Sequence, residues 1–495
     1  MTGYEKLVRQ MQKIADINSA IAVLHWDQEV YLPPQGAGFR AQQIASLSAL
    51  SHEMFVSTET GDLINQAESV ADGFAQKRNV ALLKEDYAKR KKYSTEFVQH
   101  LSLQISKTYH SWIKARKGNN FSIYEPDLDQ VIRLKREECE LLGYSDHPYD
   151  ALMDEYEPKA NTRQIEDIFV KLKDPLVQLV QKIRAQPQVK DEFMNGFYEK
   201  TTQWEFSLHL LRQMGYNFEA GRQDLSEHPF TIAFNPDDVR VTTRVNEKNL
   251  HVLIWSSIHE GGHALYEQGL SRDQYGLPAG SAASLSIHES QSRLYENNIG
   301  RSLDYWIANY NLLRDKFPAN LEDITVAEFY QAINKVEPGL IRTEADELTY
   351  HLHILIRFEI EKALIEGSIQ AKDLPAVWNK KYTDYLGINV PDDKNGVLQD
   401  IHWSHGSFGY FPTYTLGSLY AAQFFAAAGS NIPNLSDQIK KGELHQLLDW
   451  LRENIHTKGK LYTSEELCKQ VTGEQLNVQS FLDYVDKKYS EIYGL

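Results

Sequence analysis

Apolar side chains at Leu7, Met11, Ile14, Ile21 and Leu24 fall three, four or seven residues apart, and this period recurs through most of the chain. A pattern of that kind restricts the chain to a mainly helical fold. An apolar share of 42% and a charged share of 24% are ordinary for a globular protein, so the helices carry enough apolar surface to pack into a core. The first long helix is expected to stop at Leu32-Pro33-Pro34-Gln35-Gly36, because paired prolines cannot continue it and glycine favours a turn. The clearest exception to helix lies at residues 239–255. There 239–245 is β-branched and partly alternating, 246–249 reads as a turn, and 250–255 is a second strand-like run, which predicts a hairpin around 239–255. No repeat, low-complexity tract or Ser/Gly-rich linker divides the chain. Residues 1–495 are therefore read as one mainly α domain, a large helical body with a small β-sheet.

Charge narrows the partners. Acidic side chains outnumber basic ones 68 to 52, for a net charge of -16, and no stretch concentrates Lys and Arg enough to track a phosphate backbone, so no nucleic-acid partner is expected. The opening MTGYEKLVRQMQKIAD lacks the apolar run of a secretory signal. The stretch LGSLYAAQFFAAAG is too short to span a bilayer and contains Gln423, which predicts a buried helix and no membrane partner. Cys139 and Cys468 are the two cysteines, and both suit a reducing cytoplasm.

The chemistry is concentrated in His259-Glu260-Gly261-Gly262-His263. On a helix, residues four apart stand one turn above each other, roughly 5–6 Å between Cβ atoms, so both imidazoles can point at one ion while Glu260 lies beside it unligated. The two glycines weaken a helix by about 1 kcal/mol each relative to alanine. Close approach of substrate or of another backbone would account for them. A catalytic zinc takes three protein ligands and leaves a fourth position open for water. Glu289, in the helical segment from His288 to Asn297, is the candidate third ligand, although it also stands four residues from Arg293, where a helix-surface ion pair is common. His288 would point about 100° away around the helix, so only one of the neighbouring pair faces the metal.

At this point the sequence resembles the carboxypeptidase Taq family of metallocarboxypeptidases. Five blocks match in order: Asp238-Val239-Arg240-Val241-Thr242, HEGGH at 259–263, HESQ at 288–291, IRTEAD at 341–346 and GVLQDIHW at 396–403. HWDQ at 25–28, with its following Pro-Pro, extends the likeness over nearly the whole chain. The resemblance implies a helical fold enclosing a deep groove with a small sheet beside the active site, a homodimer, and metal-dependent removal of C-terminal residues from peptides with broad side-chain tolerance. It places the metal ligands on His259, His263 and Glu289 and the catalytic carboxylate on Glu260. The segment 405–414 is also similar to the H-x-x-x-G-Y-x-x-x-Y stretch of thimet-type oligopeptidases, in which His and Tyr side chains line the catalytic centre.

In the expected mechanism Zn2+, or Co2+ or another divalent ion, activates water and Glu260 carries its proton. Tyr410, Tyr414 and His405 are candidates to stabilise the oxyanion, each tyrosine being equally readable as packing in a chain with 27 of them. Cutting at a free C-terminus calls for a cation with a planar fork, and Arg342 and Arg240 are candidates, Arg342 favoured. Arg342 alternatively pairs with Asp346, and Arg240 with a neighbour on the hairpin. Gln399, Asp400, His402 and Trp403 are read as groove wall or as hydrogen-bond partners of the metal-binding imidazoles. The rival functions are a zinc oligo-endopeptidase of the thimet type and a non-catalytic metal-binding helical protein.

Overall fold

A computed structural model describes all 495 residues. The first helix, Gly3–Val30, opens on a capping box in which the Thr2 side chain accepts from the Glu5 N–H and Glu5 reaches back to the Thr2 N–H, satisfying two donors that a helix start leaves orphaned. It ends before the Pro33-Pro34 pair, and a short 3-10 turn at Pro34–Gly36 leads into the helix Ala37–Val56. The break stands where the prolines require it.

The chain divides into two compact units. The first comprises Met1–Lys91, Lys190–Ile333 and Tyr420–Leu476. Leu7, Met11 and Ile14 form part of its core with Ile64, Val80, Leu83 and Leu277. The second comprises Lys92–Val189, Asn334–Leu419 and Asn477–Leu495. It is built around the helix Thr349–Glu366, which is buried on nearly every side. His353, Arg357 and Glu361 stand four residues apart along that helix and are all 0% exposed. Each has a partner: Tyr382 Oη for His353, Asp400 for Arg357, and three donors for Glu361, as buried polar groups require.

The sheet belongs to the first unit and has three strands, β1 Gly221–Leu225, β2 Phe230–Asn235 and β3 Asp238–Thr243, with β3 central, parallel to β1 and antiparallel to β2. Val239 and Val241 are wholly buried with Arg240 between them on the other face, the alternation expected of a half-covered strand. The predicted hairpin around 239–255 is corrected here. Its first strand exists, but β3 turns back onto β2 through residues 235–238, and residues from His251 onward are the first turns of the helix His251–Gly269. The Asn249 side chain accepts the His251 N–H at 2.9 Å and so starts that helix. Leu253, Ile254, Trp255 and Ile258 are buried around it, and burial on all sides overrides a β preference worth at most about 1 kcal/mol. The apolar stretch containing Gln423 is likewise a helix, Pro412–Asn431. No helix is long and apolar enough to cross a membrane.

Candidate metal centre

Helix His251–Gly269 packs against β2, β3 and the short helix Leu285–Arg293. Its two glycines mark where neighbours come close. A Cβ on Gly262 would stand 2.6 Å from both Gln291 O and Ser292 Cα, and one on Gly261 would stand 2.7 Å from Leu211 Cδ2 and 2.8 Å from Met214 Cε. Of the two explanations open from the sequence, close approach of another backbone is the one found at Gly262.

The consequence is convergence. His263 Nε2 lies 3.5 Å and His259 Nε2 3.9 Å from Glu289 Oε2, and ligand atoms of the three side chains all lie within 4.8 Å of one another. The opposite ring nitrogens are already engaged. His259 Nδ1 is 2.8 Å from Glu296 Oε2. His263 Nδ1 is 3.1 Å from His288 O and 2.6 Å from His288 Nδ1, and His288 Nε2 is 2.8 Å from Glu267 Oε1. With Nδ1–H donating in both rings, the tautomer assigned from these partners leaves each Nε2 lone pair directed at the carboxylate oxygen. Two lone pairs and an anionic oxygen facing one point are a donor set for a divalent cation. The side chains present fit such an ion.

The electrostatics agree. Burial raises the Glu289 carboxyl, but Arg293 and the two imidazoles outweigh burial and hold it well below the usual carboxylate range. Burial keeps His263 neutral, down to about 3. At His259 burial again lowers the value, yet the hydrogen bond to Glu296 and the charges of Glu289 and Glu296 outweigh it and raise the ring, so the pocket favours positive charge at this point. Glu260 is held from the sheet: the single hydroxyl proton of Thr231 on β2 is shared between Glu260 Oε2 at 2.7 Å and the Glu260 backbone oxygen at 2.9 Å. Burial pushes its carboxyl up, the direction that suits a proton carrier near neutral pH.

The remaining candidates fall into three places. Arg240 stays in the first unit, its fork bonded to Asp238 at 2.9 and 2.8 Å and its guanidinium between the rings of Trp26 and Phe234 at 4.3 and 4.8 Å. Trp26 is the tryptophan of HWDQ. In the second unit, Arg342 donates from Nε to Asp400 Oδ1 at 2.9 Å and from Nη1 to Tyr350 Oη at 3.2 Å, and lies over the Tyr414 ring at 5.2 Å. Tyr414 neighbours Tyr410, with ring centroids 5.1 Å apart, and His402 Nε2 at 3.3 Å from its hydroxyl. His405 is exposed and packed on the Tyr109 ring at 5.0 Å. The alternative Arg342–Asp346 pair is absent: Asp346 accepts the Leu348 and Thr349 N–H groups at the start of a helix. Asp400 pairs with Arg342 and Arg357.

Four contributors went unread in the sequence: Thr231, Glu267, Arg293 in its bridging role, and Glu296. Glu296 carried a signal, since it follows Glu289 by seven residues and so shares its helical face. Thr231 carried none, because its reach to Glu260 exists only once β2 is in place.

Comparison with known proteins gives these features a context. The family model for carboxypeptidase Taq (M32) metallopeptidases matches residues 6–489. The thermostable carboxypeptidase 1 of Thermus thermophilus is 40% identical over 506 aligned residues, covering 99% of each chain. Carboxypeptidase 1 of Bacillus subtilis is 38% identical over 98% of this chain and 97% of its own. The crystal structure of an M32 carboxypeptidase from Deinococcus radiodurans superposes with a TM-score of 0.98 at 36% identity, covering 100% of both chains. The chain belongs to the carboxypeptidase Taq family and is a metallocarboxypeptidase, a hydrolase that works with a divalent metal ion.

Proposed function

We propose that His259, His263 and Glu289 hold a zinc ion and that Glu260 moves the proton in the hydrolysis of the terminal peptide bond, with broad tolerance for the side chain released. The observation that carries this reading is the convergence of two Nε2 atoms and one carboxylate oxygen whose neighbours fix every other ring nitrogen. A divalent ion bound by such a set supplies Lewis-acid polarisation of a carbonyl and lowers the pKa of water from about 15.7 to about 7. Co2+ also suits imidazole and carboxylate ligands. Because Thr231 occupies Oε2 of Glu260, Oε1 is the oxygen left to take the proton of the attacking water and to return it to the departing amine. Tyr410 and Tyr414 are the O–H donors assigned to the oxyanion. His405 has the weakest geometric support for that role.

Arg342 is assigned to the substrate's C-terminal carboxylate and Arg240 is the alternative; both are peptide-binding candidates whose forks carry an internal carboxylate in this structure. The 1–495 chain is taken as a single metallopeptidase domain acting as a homodimer in the cytoplasm, where the buried free thiols Cys139 and Cys468 remain reduced. The experiment is a product analysis on one peptide with a free and with an amidated C-terminus, alongside metal analysis of the purified protein. Cleavage restricted to the free acid, with one zinc per chain, is expected. Equal cleavage of the amide would replace the carboxylate-binding arginine with an endopeptidase of the thimet type.

A further inference from the structure

Arg293 bridges two carboxylates beside the metal cluster. Its Nε–H donates to Glu289 Oε1 at 2.7 Å and its Nη1–H to Glu296 Oε2 at 3.0 Å. The same Glu296 oxygen faces Nδ1 of His259. Glu289 thus presents its two oxygens to different partners: Oε1 to the guanidinium, Oε2 to the imidazoles, with Ser292 Oγ 3.4 Å from Oε2. Arg293, Glu289 and Glu296 side chains are only 14, 8 and 11% exposed, so water offers Oε1 little alternative to that hydrogen bond.

A carboxylate next to a divalent ion binds through one oxygen or through both, and the second oxygen takes up a coordination position that water or a substrate carbonyl would otherwise use. We propose that Arg293 is a positioning residue that restricts Glu289 to a single oxygen facing the ion and so keeps a coordination position open for the reaction. The inference rests on reading His259, His263 and Glu289 as the metal ligands. Through Glu296 the same guanidinium also fixes the His259 ring, so one cation orders two of the three ligands.

Two substitutions separate the hydrogen bond from the charge. In Arg293→Gln the amide Nε2 stands at the same place along the side chain as the arginine Nε, and its N–H can hold Oε1. In Arg293→Met a methyl group stands there and nothing holds Oε1. Both variants lose the same positive charge. The readout is the visible absorption of the Co2+-loaded protein, which is strong at four-coordination and weakens as ligands are added. The wild type and Arg293→Gln are expected to give matching strong bands, and Arg293→Met bands weaker by about two-fold or more with one Co2+ still bound. Weak bands in the wild type, wild-type bands in Arg293→Met, or weakened bands in Arg293→Gln would each overturn the proposal. The wild-type and Arg293→Gln spectra stand on their own should the methionine variant not fold. A wild type that binds no Co2+ would instead remove the ligand assignment on which the proposal rests.

Discussion

Replacing Gly262 with alanine tests whether helix contact, and not the ligand residues alone, makes the metal site. The new Cβ would stand 2.6 Å from Gln291 O and 2.6 Å from Ser292 Cα, whereas carbon contacts settle at about 3.5–4.0 Å. Both obstacles are backbone, so relief requires the helix His251–Gly269 to move roughly 1 Å from Leu285–Arg293. His259 and His263 ride on His251–Gly269 and Glu289 on Leu285–Arg293. Metal–ligand distances tolerate about 0.2 Å, so a displacement five times larger leaves the ion short of one ligand. Stability changes little by comparison, because overpacking costs about 1–3 kcal/mol while alanine returns about 1 kcal/mol of helix propensity. Gly261→Ala is the control: its Cβ meets only the ends of Leu211 and Met214, which can rotate away. Zn2+ affinity measured by competition with a coloured chelator should fall at least about ten-fold in Gly262→Ala and stay at the wild-type value in Gly261→Ala. Wild-type affinity in Gly262→Ala, or equal losses in the two variants, would refute the reasoning.

Glu260→Gln should retain its metal while kcat drops by about 100- to 10,000-fold; loss of metal in that variant would make Glu260 a ligand instead of a proton carrier. Removing the ion with a chelator should lower the melting temperature, since a ligand at a thousand times its Kd stabilises the folded state by about 4 kcal/mol, and His259→Ala should show no such response. Glu361 provides a pH signature in the second unit: burial pushes it up to about 7 from 4.5 despite hydrogen bonds from Tyr149, Gly409 and Trp403. A folded-state pKa above the unfolded one gives stability that is complete below about pH 4.5 and is lost as pH rises through about 7. Relative to Glu361→Gln, the wild type should therefore lose up to roughly 3 kcal/mol between about pH 5 and pH 8 in denaturant titrations, and a pH-independent difference would count against the shift.

What the sequence disclosed follows from how far apart the interacting residues are. His259 and His263 are one turn apart, so their shared face is fixed by helix geometry before any tertiary contact forms. The proline break after the first helix is equally local. The pairing of Arg342 with Asp400, and the hold of Thr231 on Glu260, span 58 and 29 residues, and nothing in the local pattern around either residue encodes the partner. The misread strand at 250–255 is a different kind of miss. Leu250, Val252 and Ile254 alternate as strand residues do, but a fully surrounded helix also shows apolar residues in every direction, and periodicity cannot tell the two apart.

The charges around the cluster bear on why the proposed ligands are mixed in type. Glu289 and Glu296 carry two negative charges and Arg293 and Arg301 two positive ones, with Arg301 Nη2 3.4 Å from Glu296 Oε1. The imidazoles add none when neutral. A dication held by the proposed ligands would meet little net charge from these four groups, so Glu260 would be the further carboxyl group beside it. A second carboxylate ligand would hold the ion more tightly and weaken it as a Lewis acid. The arginines therefore do more than stabilise a buried anion: they cancel the negative charge that the Glu289 and Glu296 carboxylates bring with them, so an ion held there would keep more of its charge for polarising the substrate.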